Sequence, residues 1–193
     1  MEAAAECLSQ GKSAIILVPE IGLTNQLIQR FAGRFGKEQI AIMHSKLTPR
    51  ERYDEWQRMR QGKARIVIGA RMGVFAPLSD IGLIVLDEEH EATYKSDMTP
   101  KYDTVEVAAK RLQYAGGVMI LGSATPSVTS YERCREGIYQ LIELKERYNK
   151  TPLPEVKIVD MRKELHASGI LFLKYVRNVA ADILNISESE RSR

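Results

Sequence analysis

Cysteine is scarce: two residues, Cys7 and Cys134, in a chain of 193. They form no C-x-x-C pair and no histidine stands near either at a zinc-like spacing, so no disulfide framework or zinc module is expected within this chain. Both are expected as free buried thiols, in keeping with a reducing cytoplasm. No stretch approaches the roughly 18 apolar residues of a membrane span, and "MEAAAECLSQ" at the start lacks the basic n-region and long apolar run of a secretory signal. Neither charge sign dominates: the net charge is +3, which permits nucleic acid as a partner without demanding it. Internal repeats and low-complexity tracts are also missing. What remains, 44% hydrophobic and 27% charged residues, is the composition of a globular domain able to bury its own core.

Short apolar runs alternate with longer amphipathic stretches. "SAIILVP" (13–19), "IAIMHS" (40–45), "ARIVIGA" (64–70), "LIVLDEE" (83–89) and "VMILGSA" (118–124) each read as a buried strand ending in polar or small residues. The segments at 20–35, 48–62 and 102–116 carry helical spacing, with Thr48-Pro49 as a start signal and Gly62 and Gly116 as stops. A further helix is expected over 126–137, and "IYQLIEL" and "EVKIVDM" read as later strands. Strands apolar on both faces and separated by helices imply an α/β fold, a doubly wound parallel sheet. Ligands in such sheets bind beyond the carboxyl ends of the strands. Five polar loops therefore converge on one rim.

Gly11-Lys12-Ser13 imitates the end of a phosphate-binding loop. A true loop needs a second glycine where Glu6 stands, a strand before it and a helix after it. Here the order is reversed, so Gly11 is expected to cap a helix. Asp87-Glu88-Glu89-His90 is a stronger signal, because adjacent carboxylates at a strand end repel one another and invite a cation; the plainer alternative is a solvated acidic turn. In nucleotide-hydrolysing motors such an aspartate holds Mg²⁺ through water and the next glutamate orients the attacking water. Ser123, Ala124 and Thr125, after the following strand, supply small size and hydroxyls for coupling to those carboxylates. Trp56, with Tyr53 and Met59 on one helix face, reads as core.

Together, Asp87-Glu88-Glu89-His90 and Ser123-Ala124-Thr125 resemble motifs II and III of superfamily-two (DEAH/DExH) helicases. "LVPEIGLTNQLIQRFAGRFG", "HSKLTPRERYDEWQRMRQGKARIVIGARMGVFAPL", "TYKSDMTPKY" and "LGSATPSVTSYERCREGIYQLIEL" narrow the resemblance to PriA-type replication-restart helicases, from about residue 2 to 165. It implies a RecA-like first motor lobe, ATP and Mg²⁺ as cofactors, single-stranded or forked DNA and replication-restart proteins as partners, and a cytoplasmic setting with no membrane. By that resemblance Asp87, Glu88, Glu89 and His90 form the catalytic box, Asp87 taking the Mg²⁺ position. Pro19, Glu20 and Thr24 lie beside the DNA backbone, and Gly69 and Arg71 belong to a second DNA-facing loop. Residues 93–102 resemble an aromatic loop that senses single-stranded DNA, with Tyr94 and Tyr102 stacking on bases and Lys95 or Lys101 near phosphates. Alternatives stay open: Arg71 pairs with a phosphate or a carboxylate, either tyrosine packs at the rim instead, and His44 and Ser45 face DNA or cap their strand.

The resemblance divides the chain into a partial ATP-binding domain (1–144), a connector (145–166) and a divergent tail (167–193) whose last seven residues cannot bury themselves. The family's phosphate loop and second lobe have no counterpart in this sequence, nor does its zinc module, so the 193 residues alone are expected to hydrolyse negligible ATP. A DNA-binding module without catalysis, a carboxylate-metal nuclease, and a non-functional remnant with an unpaired strand are the competing expectations.

Overall fold

A computed structural model describes residues 1–144. The chain forms two compact units, Met1–Leu141 and Ile142–Arg193, and the sheet lies within the first. The expected strand at 155–161, the connector and the divergent tail fall outside the described residues.

Five strands, β1 (Ser13–Leu17), β2 (Ile40–Met43), β3 (Ile66–Gly69), β4 (Ile81–Asp87) and β5 (Val118–Gly122), form one sheet in the order β2-β3-β1-β4-β5. Every neighbouring pair is parallel. Central β1 is buried at all five positions, as a strand covered on both faces must be. Its side chains alternate: Ile15 and Leu17 enter one core, with Val67, Ile84, Leu86 and Met59, while Ile16 enters another with Ile66, Ile68 and Phe31. Helices α1 (Glu2–Ser9) and α2 (Asn25–Phe35) supply the second face, and α3 (Pro49–Arg60) and α4 (Thr104–Ala115) the first. This is the RecA-like doubly wound arrangement expected from the sequence.

Local chemistry sets the helix ends. Thr48 and Glu51 make a reciprocal capping box at α3, with Pro49 at the first turn. Gly11 sits at φ 78°; its N–H donates to Leu8 O and that of Lys12 to Cys7 O, closing α1 in a Schellman motif. The Gly-Lys-Ser imitation is a helix cap. Cys7 is buried, Cys134 is half-buried at the other end of the unit, and both are free. Trp56 is half-buried against the larger core. No helix among the described residues is long and apolar enough to cross a membrane.

Two expectations change. The helix expected from residue 20 begins at Asn25, because Thr24 accepts from Leu27 N as its cap, and Glu20–Gly22 is a separate 3-10 turn. "IYQLIEL" forms no strand: after α5 (Val128–Arg135), Ile138 and Leu141 lie exposed, and among the described residues no strand stands beside them to take their backbone hydrogen bonds. Among the described residues β5 pairs with β4 alone, and its Val118 and Ile120 are 62% and 40% exposed.

Gly117, entering β5, tests this packing. A Cβ there would lie 2.5 Å from Leu112 Cδ2 and 2.6 Å from Ile81 O. Gly117→Ala is expected to destabilise the unit by about 1–3 kcal/mol, the range for overpacking. Gly33→Ala in α2, with nothing within 4 Å of the added methyl, is expected to stabilise by up to about 1 kcal/mol through helix propensity. Urea midpoints moving in opposite directions meet the expectation; a Gly117→Ala midpoint at or above wild type contradicts it.

Candidate functional site

Because all five strands run parallel, the loops after them share one rim. β4 delivers Asp87 to solvent at its end, opposite Gly122 of β5. A Cβ on Gly122 would stand 3.3 Å from Asp87 Oδ1, so the glycine leaves that carboxylate room. Glu88 then takes φ 50°, an uncommon left-handed conformation that reverses the chain; its carbonyl accepts from Glu91 N at 2.9 Å, and Asp87 Oδ1 accepts from Glu88 N at 3.2 Å. The turn separates the neighbours' roles: the Glu88 side chain is 46% exposed, while Glu89 is 7% exposed.

His90 Nδ1 lies 2.7 Å from Ser123 Oγ, which also accepts from Thr125 N at 3.0 Å. The same Nδ1 is 3.6 Å from Glu88 Oε2. The imidazole thus bridges the acidic turn and the loop after β5. Ala124 and Thr125 are exposed beyond that bridge.

Glu89, expected in the catalytic box, faces the other way. Its carboxylate accepts from Ser127 N (2.6 Å), Ser127 Oγ (3.1 Å) and Ser130 Oγ (2.8 Å) at the start of α5, and its own N–H donates to Gly122 O at 3.0 Å. A buried carboxylate that accepts three hydrogen bonds is held in place, and Glu89 pins the turn to the helix. Ser127 and Ser130 escaped the sequence reading. A serine at a helix cap with another three residues on was their visible signal.

Asp87 and Glu88 present hard oxygen donors that fit Mg²⁺, a cation that keeps several waters and takes one or two protein carboxylates plus phosphate oxygens. Among the described residues no group of three His, Cys, Asp or Glu could hold a metal by itself.

A cleft of about 650 Å³ opens on the other half of the rim, lined by Pro19, Glu20, His44, Ser45, Arg71 and Tyr94 among others, but not by Asp87 or Glu88. Thr24 caps α2 and does not line the cleft. Gly69 is buried, and a Cβ on it would lie 2.4 Å from Met43 O, so it serves the close approach of β2 and β3. His44 Nδ1 accepts from Lys46 N at 3.2 Å while the residue still lines the cleft. Among the described residues Arg71 pairs with no carboxylate: its Nη1 donates to Lys95 O at 2.6 Å and Thr93 O at 3.3 Å, and its guanidinium stands 5.8 Å from the centre of the Tyr102 ring.

The loop Arg71 holds is closed by a bridge between Lys95 and Asp103 and by Ser96 N donating to Tyr102 O at 2.8 Å. Tyr94, expected to stack on bases, is 2% exposed and offers them no face. Its hydroxyl donates to Asp87 O at 2.7 Å, and buried Thr104 donates to its carbonyl at 2.6 Å. Burial, and next the nearby Asp87, Glu88 and Glu91, push the phenol well above its ordinary range. Tyr94 therefore ties the loop to the strand that carries the carboxylates. Tyr102 is half-buried at the rim and Lys95 is exposed.

The family model for DEAD/DEAH box helicases matches residues 1–134. The chain is 48% identical over 165 residues to the replication restart protein PriA of Bacillus subtilis, an alignment covering 86% of this chain and 20% of that protein. With the Synechocystis protein of the same name it is 45% identical over 163 residues, 82% of this chain and 20% of the relative. The Chlamydia pneumoniae PriA aligns at 38% identity over 191 residues, 97% of this chain and 25% of that protein, and so runs on past residue 167. The chain thus spans a fifth to a quarter of the length of these relatives.

Proposed function

The chain belongs to the DEAD/DEAH box helicases, and from that premise we propose that it forms part of the first motor lobe of an ATP-driven DNA helicase of the replication-restart kind. Its setting is the cytoplasm, and its partners are single-stranded or forked DNA and other replication-restart proteins. The observation that carries this reading is the split at the end of β4. Asp87 and Glu88 reach solvent, while Glu89 and Tyr94 are buried and bind them to two neighbouring loops.

In this reading Asp87 would hold Mg²⁺ and Glu88 would orient the water for attack on the terminal phosphate. Bound ATP–Mg²⁺ supplies the reacting phosphoryl group and the charge that stabilises its transfer. His90, held on Ser123, connects Glu88 to the loop after β5, and Tyr94 connects Asp87 to the loop at 93–103. The DNA strand lies along the cleft half of the rim, over Glu20, His44 and Ser45, with Lys95 beside it. The cradle for the phosphates is not among these residues, since Gly11-Lys12-Ser13 ends a helix. Among the described residues the outer edge of β5, next to Ser123, is unpaired, and a segment carrying such a loop would pair there.

The cleft's position away from the carboxylates also favours a second reading: a module that binds single-stranded DNA without hydrolysis. Both readings are tested by titrating the 193-residue chain with a labelled oligothymidylate. Binding that weakens steeply with salt and ignores ATP, with ATP turnover at background, is expected. Failure to bind at low salt contradicts both readings; ATP turnover by the chain alone contradicts the divided nucleotide site.

A further inference from the structure

Helix α3 gives little of its surface to the core: of its twelve residues only Met59 is buried. Tyr53, placed with the core by its spacing, is instead 58% exposed. Arg50, Tyr53, Gln57 and Arg60 follow one another at intervals of three, four and three residues, which puts them on one outward stripe. Neither these residues nor Trp56 line the cleft at the rim. The helix's own glutamates are already engaged. Glu51 accepts from Thr48 at the cap, and Glu55 pairs with Arg58 at 2.8 Å.

The stripe is ordered. Tyr53 stacks beside Trp56, with ring centroids 6.4 Å apart and planes at 21°, and the Arg60 guanidinium stands 5.1 Å from the centre of the Trp56 ring. A guanidinium over a ring still presents its N–H edge to a carboxylate. Gln57 Nε2 donates to the Tyr53 hydroxyl at 2.7 Å, which leaves the phenol's own proton for an outside acceptor. Arg50 and Arg60 are exposed and form no ion pair among the described residues. Two arginines about 15 Å apart along the axis thus flank an aromatic pair. Tyrosine, tryptophan and arginine are the side chains that anchor protein–protein contacts. Exposed Asp54 at the margin of the stripe repels a run of phosphates, so the face suits a protein with spaced carboxylates better than a nucleic acid.

We infer that the outer face of α3 docks an acidic helix of a protein partner, with carboxylates on Arg50 and Arg60 and an apolar side chain between them on Tyr53 and Trp56. A helix laid along α3 has the same rise per residue, so carboxylates ten residues apart reach both arginines. The face lies outside the rim, and the inference stands independently of the motor reading.

Trp56 is the sole tryptophan of the chain, so its emission reports this face directly. The test titrates the 193-residue chain with a synthetic alanine-based helix that carries two glutamates ten residues apart, leucines between them on the same face, and no aromatic residue. A saturable change in Trp56 emission is expected, lost when glutamines replace the glutamates or serines replace the leucines. Arg50→Glu combined with Arg60→Glu is expected to weaken binding of the acidic helix about ten-fold or more, and to bind instead the same helix with lysines for glutamates. Arginines with a merely structural role do not reverse a charge preference. No saturable change, a change indifferent to the glutamates, or a double variant that does not switch its preference overturns the inference. A short DNA duplex that binds this face more tightly than the acidic helix also overturns it.

Discussion

Glu88→Gln is expected to lower ATP turnover about 10²- to 10⁴-fold, the usual contribution of a positioned acid–base group. The measurement uses a chimaera in which residues 1–144 replace the matching part of the Bacillus subtilis relative. Glu88 follows the end of a central parallel strand, on a turn at φ 50° that lifts its half-exposed side chain to the rim beside His90. Glutamine keeps the size and loses the charge that orients water. Since the Glu88 side chain is 46% exposed, the urea midpoint is expected to stay at the wild-type value. Phosphate release and a melt on the same preparation decide it: undiminished turnover in a folded Glu88→Gln chimaera removes Glu88 from the chemistry.

The neighbouring substitution should do the reverse. Glu89→Ala strips three hydrogen bonds from the start of α5 and leaves Ser127 N without its carboxylate. Hydrogen bonds to charged groups contribute about 1.5–3 kcal/mol each and do not simply add, so a loss of about 2–4 kcal/mol is expected for the 193-residue chain. Glu89→Gln, which keeps one carbonyl acceptor, should recover part of it. A Glu89→Ala chain that unfolds at the wild-type urea concentration contradicts the pin. Two adjacent glutamates, one lost from chemistry and one from stability, are what the turn at Glu88 predicts.

The sheet was legible because its signal is local: apolar runs such as Ile15–Ile16–Leu17 bounded by Gly, Pro and charged residues leave few other structures. The rim was legible for the same reason, since a parallel sheet puts all its carboxyl ends together. Orientation within the rim was not. Nothing local to Asp87-Glu88-Glu89-His90 distinguishes the two glutamates. The donors that occupy Glu89 lie 38 and 41 residues away, on Ser127 and Ser130. Tyr94 and Tyr102 look alike in sequence, and only the closing bridge from Lys95 to Asp103 and the bond from Thr104 decide which one is buried. Arg71 was expected on a phosphate or a carboxylate; its partners within the fold are backbone carbonyls, which leave no trace in residue identity. The missing strand at "IYQLIEL" is the opposite case: the local pattern is right, but a strand needs a neighbour.

The central claim is that the end of β4 joins a nucleotide site to a DNA-facing loop through Asp87 and Tyr94. Its most direct test is the ATP turnover of the unsubstituted chimaera with and without a saturating oligothymidylate. Turnover that is slow alone and rises with DNA is the predicted result. A folded chimaera whose turnover is absent, or is indifferent to DNA, contradicts it.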